Sequence, residues 1–258
     1  MNDRLPCFFS PRWPVLYEDN HLLGLYKPSG LLVQGDQTGD ESLLELAKKW
    51  IKQRYDKPGR VFLAMVHRLD RPVAGVVLFC RTSKAAARIS AQFREKTVEK
   101  QYLAVLEGDL ERPGGTLVHR MVRMKHGSSR IVAGKEPESR EARLFYRLLD
   151  RRDGKSLVEI DLETGRHHQI RAQFGYIGHP VMGDLRYGAS APMPDKQVAL
   201  FARSLSVLHP VSGERLHLAC TLPEGWPWPG ETDRPQGPPW HWRILNNTQT
   251  DRFKYLKK

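Results

Sequence analysis

VFLAMVHRLDRPVAGVVLFCRT, residues Val61 to Thr82, joins two apolar runs through a charged turn. The runs, Val61 to Val66 and Gly75 to Thr82, are short and rich in β-branched and aromatic residues, so both read as strands. Between them HRLDRPVAG sets one carboxylate, Asp70, between Arg68 and Arg71. A surface ion pair needs no such setting, whereas a reactive group held on a rigid element does. The residues alone leave three roles open for Asp70: a helix cap, the partner of a structural arginine, or a nucleophile or base. Flanking cations favour the ionised carboxylate, the form that a covalent nucleophile requires. Successive strand residues point to opposite faces, so Arg68 and Asp70 are expected to share a face that Arg71 does not.

Outward from this stretch the pattern is strand-rich. VLYEDNHLLGLYKPSGLLV, residues 15 to 33, reads as two strands split by a turn at Glu18-Asp19-Asn20, with Lys27-Pro28-Ser29-Gly30 closing the second. Leu43, Leu44, Ala47, Trp50 and Ile51 recur at helical spacing, predicting a helix over residues 40 to 54 capped by Asp40 or Ser42. A second helix is expected over residues 83 to 96, capped by Ser83, with Ala85, Ile89 and Phe93 on one face. Strands follow over 100 to 108, 142 to 149 and 156 to 165. A short helix is expected from Arg166 to Tyr176 with Thr164 as its cap, then a hairpin around Pro210-Val211-Ser212-Gly213. The predicted fold class is α+β, with a central mixed, largely antiparallel sheet flanked by helices and loops.

Charge narrows the partners. The 258 residues carry 41 Lys+Arg against 29 Asp+Glu, a formal net charge of +12, and the pI is near 9.8. Such an excess points to a polyanion, either nucleic acid or an anionic membrane surface. Residues 112 to 155 alone hold 12 Lys+Arg against 5 Asp+Glu and read as basic hairpins and loops, an RNA-contacting rim or a solvated basic face. No apolar run approaches the roughly 18 residues of a membrane span, and the N-terminus lacks the continuous apolar stretch of a signal peptide. Cys7, Cys80 and Cys220 form no CxxC pair, which argues against a disulfide framework or a cysteine zinc site and for a reducing, cytoplasmic setting. From Pro223 on, proline and glycine crowd out regular structure, and the tail's tryptophans, Trp226, Trp228, Trp240 and Trp242, read as base-stacking groups, as a clamp against the domain or as part of a loose tail.

Two further stretches carry candidate chemistry. In ETGRHHQIR, Glu163 to Arg171, helical spacing would put His167 and Arg171 on one face. Adjacent His167 and His168 would diverge by about 100° on a helix and not chelate together. A metal site from His67, Asp70, His168 and His179 matches none of the common ligand spacings, so no metal is expected. In KQYLAVLEG, Tyr102 sits among apolar neighbours, where a core tyrosine is the ordinary reading.

In combination and in order, HRLD, KQYLAVLEG, TGRHHQIR and GHPVMGDLRYG, with residues 15 to 33 ahead of them, resemble the RluA-type pseudouridine synthases. The likeness runs from about Val15 to Leu222. It implies a mixed catalytic domain over 15–222, between an N-terminal arm (1–14) and the tail (223–258). It implies Asp70 as the catalytic aspartate, Tyr102 as the active-site tyrosine packing on the base and a candidate for proton transfer at carbon 5, and Arg171 as the cation paired with Asp70. Ile170 would line the base pocket and Arg68 would enter the space left by a flipped nucleotide. Arg166, with Gly165, would shape the turn and contact phosphate, and His67 would lie on the substrate side. His179, Pro180, Gly183, Asp184 and Tyr187 match a motif taken as mainly structural. The partner implied is structured RNA, ribosomal or transfer, with no cofactor, no metal and no membrane, and a monomer. Arg71-Pro72-Val73-Ala74-Gly75 departs from the family, which often carries hydroxyls at positions 73 and 74, and His167 replaces a residue that is usually small or polar. Too few residues precede Val15 to hold the accessory RNA-binding domain of some relatives. Two rival classes are a non-catalytic RNA-binding protein of the same fold, against which the intact Asp70, Tyr102 and Arg171 speak, and a metal-dependent hydrolase.

Overall fold

Strands β1 (Val15–Glu18) and β2 (Leu22–Lys27) form the first hairpin of the computed structural model, which describes residues 15–125, 127–223 and 225–228. Asp19 makes the turn, its carboxylate accepting the N–H groups of His21 at 2.8 Å and Leu22 at 2.6 Å. Helix α1 (Leu43–Arg54) follows. Of its two candidate caps Ser42 is used, its Oγ accepting Glu45 N–H at 3.4 Å, and Leu43, Leu46, Ala47 and Ile51 are its buried face.

β3 is shorter than its apolar run. Only Ala64–Met65 pair, with Cys80 and Phe79 of β4 (Ala74–Cys80), while Phe62 is exposed. The reason lies on β4. One edge is taken along its length by β2; the other is taken at its start by β10 (Leu200–Leu208). Between these partners, the Leu78 N–H donates to His67 Nε2 at 2.9 Å, so a side chain replaces a strand there. Gly75 lies where β10 crosses in, with φ of 134°, and a Cβ there would run into the Ala202 carbonyl.

Helix α2 (Ser83–Glu95) is capped by Thr82, not Ser83; Thr82 Oγ1 accepts Ala85 N–H at 3.1 Å. Both hydroxyls suit the role, and the one in extended backbone takes it. β5 (Glu99–Glu107) follows. The basic segment is sheet more than loop: β6 (Gly114–Arg123), β7 (Ser129–Val132) and β8 (Arg140–Arg152) pair in antiparallel fashion, and β9 (Lys155–Leu162) returns along β8. Ala142, Leu144 and Tyr146 are buried in β8 while Phe145 and Arg147 stay exposed, a period-2 pattern that the charges obscure. Hairpin β10–β11 (Arg215–Ala219) stands as expected.

All eleven described strands belong to one sheet, ordered β1-β2-β4-β10-β5-β9-β8-β6-β7, with β3 on β4 and β11 on β10. Only β4–β10 is parallel among these pairs, so the sheet is mixed and largely antiparallel. Cores form on both faces. Val77 and Phe79 of β4 join the larger core, with α1, and Val76, Leu78 and Cys80 join a second under α2. Burial on both faces makes β4 continuously apolar. Trp226 and Trp228 are buried against the sheet, Trp226 with its ring 5.9 Å from Phe201 and Trp228 donating Nε1–H to Asp150 at 3.3 Å, which excludes base stacking by either. The arm at 1–14, Trp240 and Trp242 lie outside the described residues.

Candidate active site

The loop carrying Asp70 is fastened from below by the turn after β2. Lys27 is fully buried, and its Nζ donates toward the carbonyls of Pro28 (2.9 Å), Leu31 (2.8 Å) and Arg71 (3.2 Å). Ser29 Oγ donates to Pro72 O, and Gly30 N–H to Arg71 O, both at 2.8 Å. Burial pushes Lys27 down to about 7 against the pull of the Asp70 charge. Arg71 turns away to bridge Asp40 at 2.7 Å, while Arg68 faces the cleft, so the two arginines do part company. Val73 and Ala74 are buried, so family hydroxyls there would lie inside the fold.

The second half of the site corrects the expected helix. α3 is Gln169–Tyr176, and Arg166 to His168 form a turn before it. Thr164 is not its cap. Its hydroxyl donates to Gln169 Oε1 at 2.7 Å and accepts Arg143 N–H at 2.8 Å, while Gln169 Oε1 also accepts Arg166 N–H at 3.0 Å. His168 takes the N-cap position in the left-handed region, φ 54°, with no side-chain cap. The histidines therefore do not diverge as on a helix; their rings stack at 3.8 Å.

Arg171 is the hinge of the geometry. Asp184 holds it through two bonds, Nε to Oδ2 at 2.6 Å and Nη2 to Oδ1 at 2.9 Å, leaving Nη1 to donate to Asp70 Oδ2 at 3.1 Å. Burial alone would lower the guanidinium; the Asp184 bonds and charge, then Asp70, override it and hold Arg171 firmly charged. Among the described residues Asp70 Oδ1 has no hydrogen bond. Burial, seconded by the Asp70 charge, pushes the Tyr102 hydroxyl well above its ordinary value, so it stays a neutral phenol. Burial pushes His67 down to about 4, helped by Lys100, and its ring is neutral, bound to Leu78 and stacked on Phe93.

His67, Arg68, Asp70, Tyr102, Arg166, Ile170 and Arg171 line one cleft of about 570 Å³, a size that suits a small-molecule or nucleotide site. Leu69, Val73 and Leu200 add apolar wall, and Arg94, Lys96 and Lys100 add positive charge. Burial first, then Arg166, pushes Lys100 down to about 8, and no carboxylate lies within 4.0 Å of it among the described residues. Asp184, read as structural, is the brace behind Arg171, and His168 Nε2 stands 3.6 Å from Asp70. The spacing of ETGRHHQIR signalled neither, because Asp184 acts across a turn and His168 lies outside the helix.

The metal set considered from sequence does not assemble: His67 is taken by Leu78 and His179 lies 3.1 Å from the Glu107 carbonyl. Ligand atoms of Asp70, His167 and His168 do lie within 4.8 Å of one another. The rings stack in near-parallel layers, 22° between planes, so their in-plane lone pairs do not readily meet at one point, and the Arg171 guanidinium shares the carboxylate. That arrangement suits a hydrogen-bonded carboxylate better than a cation.

Comparison with known proteins adds the following. A family model described as RNA pseudouridylate synthase matches residues 21–176. Ribosomal large subunit pseudouridine synthase D of Xanthomonas campestris is 34% identical over 223 residues, covering 81% of this chain and 66% of that protein. Ribosomal large subunit pseudouridine synthase C of Escherichia coli is 31% identical, covering 82% and 67%. The chain thus spans about two thirds of the length of these relatives. The solved structure of human RNA pseudouridylate synthase domain containing 4 has the same fold, with a TM-score of 0.68, 23% identity, and coverage of 81% of this chain and 88% of that one.

Proposed function

The chain belongs to the RNA pseudouridylate synthase family, and from that membership we propose that it isomerises uridine to pseudouridine in RNA, with ribosomal RNA as the substrate class and Asp70 as the reactive carboxylate. The supporting observation is the cleft itself: Asp70 with one oxygen on Arg171 and the other without a hydrogen bond among the described residues, beside Tyr102 and Ile170. The names of the relatives, which are ribosomal large subunit enzymes, favour ribosomal over transfer RNA.

The reaction breaks the C1′–N1 bond, turns the uracil and forms a C1′–C5 bond. C5 gives up a proton and N1 gains one, so nothing is added or lost, and the chemistry draws on the protein's own side chains. Asp70 starts the cleavage, and Arg171, bonded to its Oδ2, aims it. Tyr102, a neutral phenol, packs on the base instead of serving as a ready base. Leu69, Val73, Ile170 and Leu200 exclude water that would otherwise hydrolyse the detached sugar. Flipping a base from folded RNA costs a few kcal/mol. Phosphate contacts to Arg94, Lys96, Lys100 and Arg166 offset that cost, and Arg68 fills the vacated stack.

The test is pseudouridine formation on unmodified ribosomal and transfer RNA by the wild type and Asp70→Asn. Conversion of ribosomal RNA by the wild type alone upholds the proposal. Conversion of transfer RNA only overturns the substrate class, and conversion of neither overturns the activity.

A further inference from the structure

A line of contacts runs from Asp70 out to the basic hairpin. His168 Nε2 lies 3.6 Å from Asp70 Oδ2, slightly beyond a hydrogen bond; catalytic contacts of this kind often tighten only when substrate is bound. The other ring nitrogen, Nδ1, is 2.8 Å from the Tyr187 hydroxyl. That oxygen accepts the backbone N–H of Ser129, the first residue of β7, at 2.9 Å. Two more bonds fasten the same end of the hairpin: Ser129 Oγ donates to His167 O at 2.6 Å and Arg186 Nη1 donates to Gly127 O at 2.8 Å.

The Tyr187 oxygen receives the Ser129 N–H, and its own proton can be given to His168 Nδ1, 2.8 Å away. Burial pushes His168 down to about 3, so the ring carries a single proton; with Tyr187 donating to Nδ1, that proton is on Nε2, facing Asp70. The other tautomer would aim an Nε2 lone pair at the carboxylate. His168 holds a left-handed φ of 54°, a region where histidine is enriched among non-glycine residues. Gly175 lets the Tyr187 backbone approach so closely that a Cβ would sit 2.5 Å from its carbonyl oxygen.

We propose that His168 and Tyr187 are positioning residues for Asp70, with Tyr187 selecting the His168 tautomer that donates to the carboxylate and the basic β6–β7 hairpin serving as their outer anchor. RNA phosphates docked on the hairpin then steady the Asp70 carboxylate through its Oδ2. This rests on the reading of Asp70 as the reactive group.

Tyr187→Phe removes one oxygen and keeps the ring near Arg171. Two readouts are taken: the ¹⁵N shifts of the His168 ring, without and with RNA, and the single-turnover rate at saturating RNA. The wild type should show the Nε2–H tautomer, and Tyr187→Phe a mixture or its reversal. The bound rate should fall about tenfold, roughly 1.4 kcal/mol of barrier, with RNA affinity unchanged. His168→Gln, which keeps an N–H donor, should retain more of the bound rate than His168→Leu. RNA should move the ring signals in the wild type more than in Tyr187→Phe; equal movement overturns the hairpin part. An unchanged tautomer, or a changed tautomer with an unchanged bound rate, overturns the positioning role. If the wild type converts no RNA, the proposed activity fails, and the tautomer of the free protein alone decides the Tyr187–His168 link.

Discussion

Replacing Asp184 with asparagine probes the brace behind Arg171. Both residues are buried, Asp184 at 2% and Arg171 at 5% exposure, and two bonds of 2.6 and 2.9 Å join them. The amide keeps the volume and one acceptor but removes the charge, leaving the guanidinium only Asp70, at 3.1 Å. Removing one partner of a buried pair costs about 3–5 kcal/mol. Because Asp70 remains and the amide oxygen still accepts, the lower end applies, about 3 kcal/mol. At roughly 2–4 °C per kcal/mol for a domain of this size, the melting temperature should fall by about 6–12 °C. The bound-state rate should fall as well, by roughly 10-fold or more, because a freed guanidinium no longer aims the carboxylate. Asp70→Asn is the contrast. Its side chain is 20% exposed and the Arg171–Asp184 pair survives it, so melting should shift by no more than about 3 °C. Thermal unfolding followed by circular dichroism at pH 7, with pseudouridine formation at saturating RNA, reads both. A melting shift for Asp184→Asn no larger than that for Asp70→Asn, with a rate within about twofold of wild type, would refute the brace.

Further outcomes follow from the same geometry. Asp70→Asn should abolish turnover while RNA binding persists, and EDTA should leave the wild-type rate unchanged; a rate that EDTA removes would restore the metal reading. RNA affinity should fall with salt with a log–log slope of roughly −0.7 to −0.9 per phosphate neutralised, measured by filter binding; a flat dependence would argue against a phosphate-lined cleft. Arg68→Ala should weaken binding of structured RNA more than of a flexible strand, and equal loss on both would remove its stack-filling role. Lys27 sits at about 7 in the fold, below its ordinary 10.5. The unfolded chain therefore holds that proton between pH 7 and 10.5 while the native state does not, so this lysine makes stability rise with pH across that window. The rise should be missing from Lys27→Met when denaturant midpoints of the two proteins are compared at each pH, and parallel curves would count against the buried lysine.

The sheet and its mixed pairing were legible because β2, β4, β5 and β10 are apolar runs between turn residues. The helix periodicity of α1 and α2 was legible for the same kind of reason. What stayed hidden depends on partners far along the chain. β3 is cut to Ala64–Met65 by β10 and by the ring of His67, which no local pattern announces. The length of β8 was masked by charges that alternate with its buried residues. The start of α3 was misplaced because Thr164 spends its hydroxyl on Gln169 and Arg143 instead of on a helix amide. In the cleft, the seven residues named from motifs do meet, but the groups that set their aim did not stand out. Asp184 reaches Arg171 across a turn, and Lys27 reaches the Asp70 loop through backbone carbonyls, contacts with no signature in residue type or spacing.

The two buried indoles beyond Leu222 bear on what the smallest self-sufficient piece of this chain is. Trp226 closes over Phe201 of the central strand, and Trp228 is pinned to Asp150 on β8. Each buried tryptophan is worth about 3–5 kcal/mol when removed, so the two together are comparable with the lower part of an ordinary domain's margin of about 5–15 kcal/mol. A chain stopped at Leu222 would keep every strand and every cleft residue, yet bare the Phe201 side of its central strand. It should therefore be stickier and less stable than a chain that retains Trp226 and Trp228. The motif-bearing region thus leans on side chains that lie beyond its end.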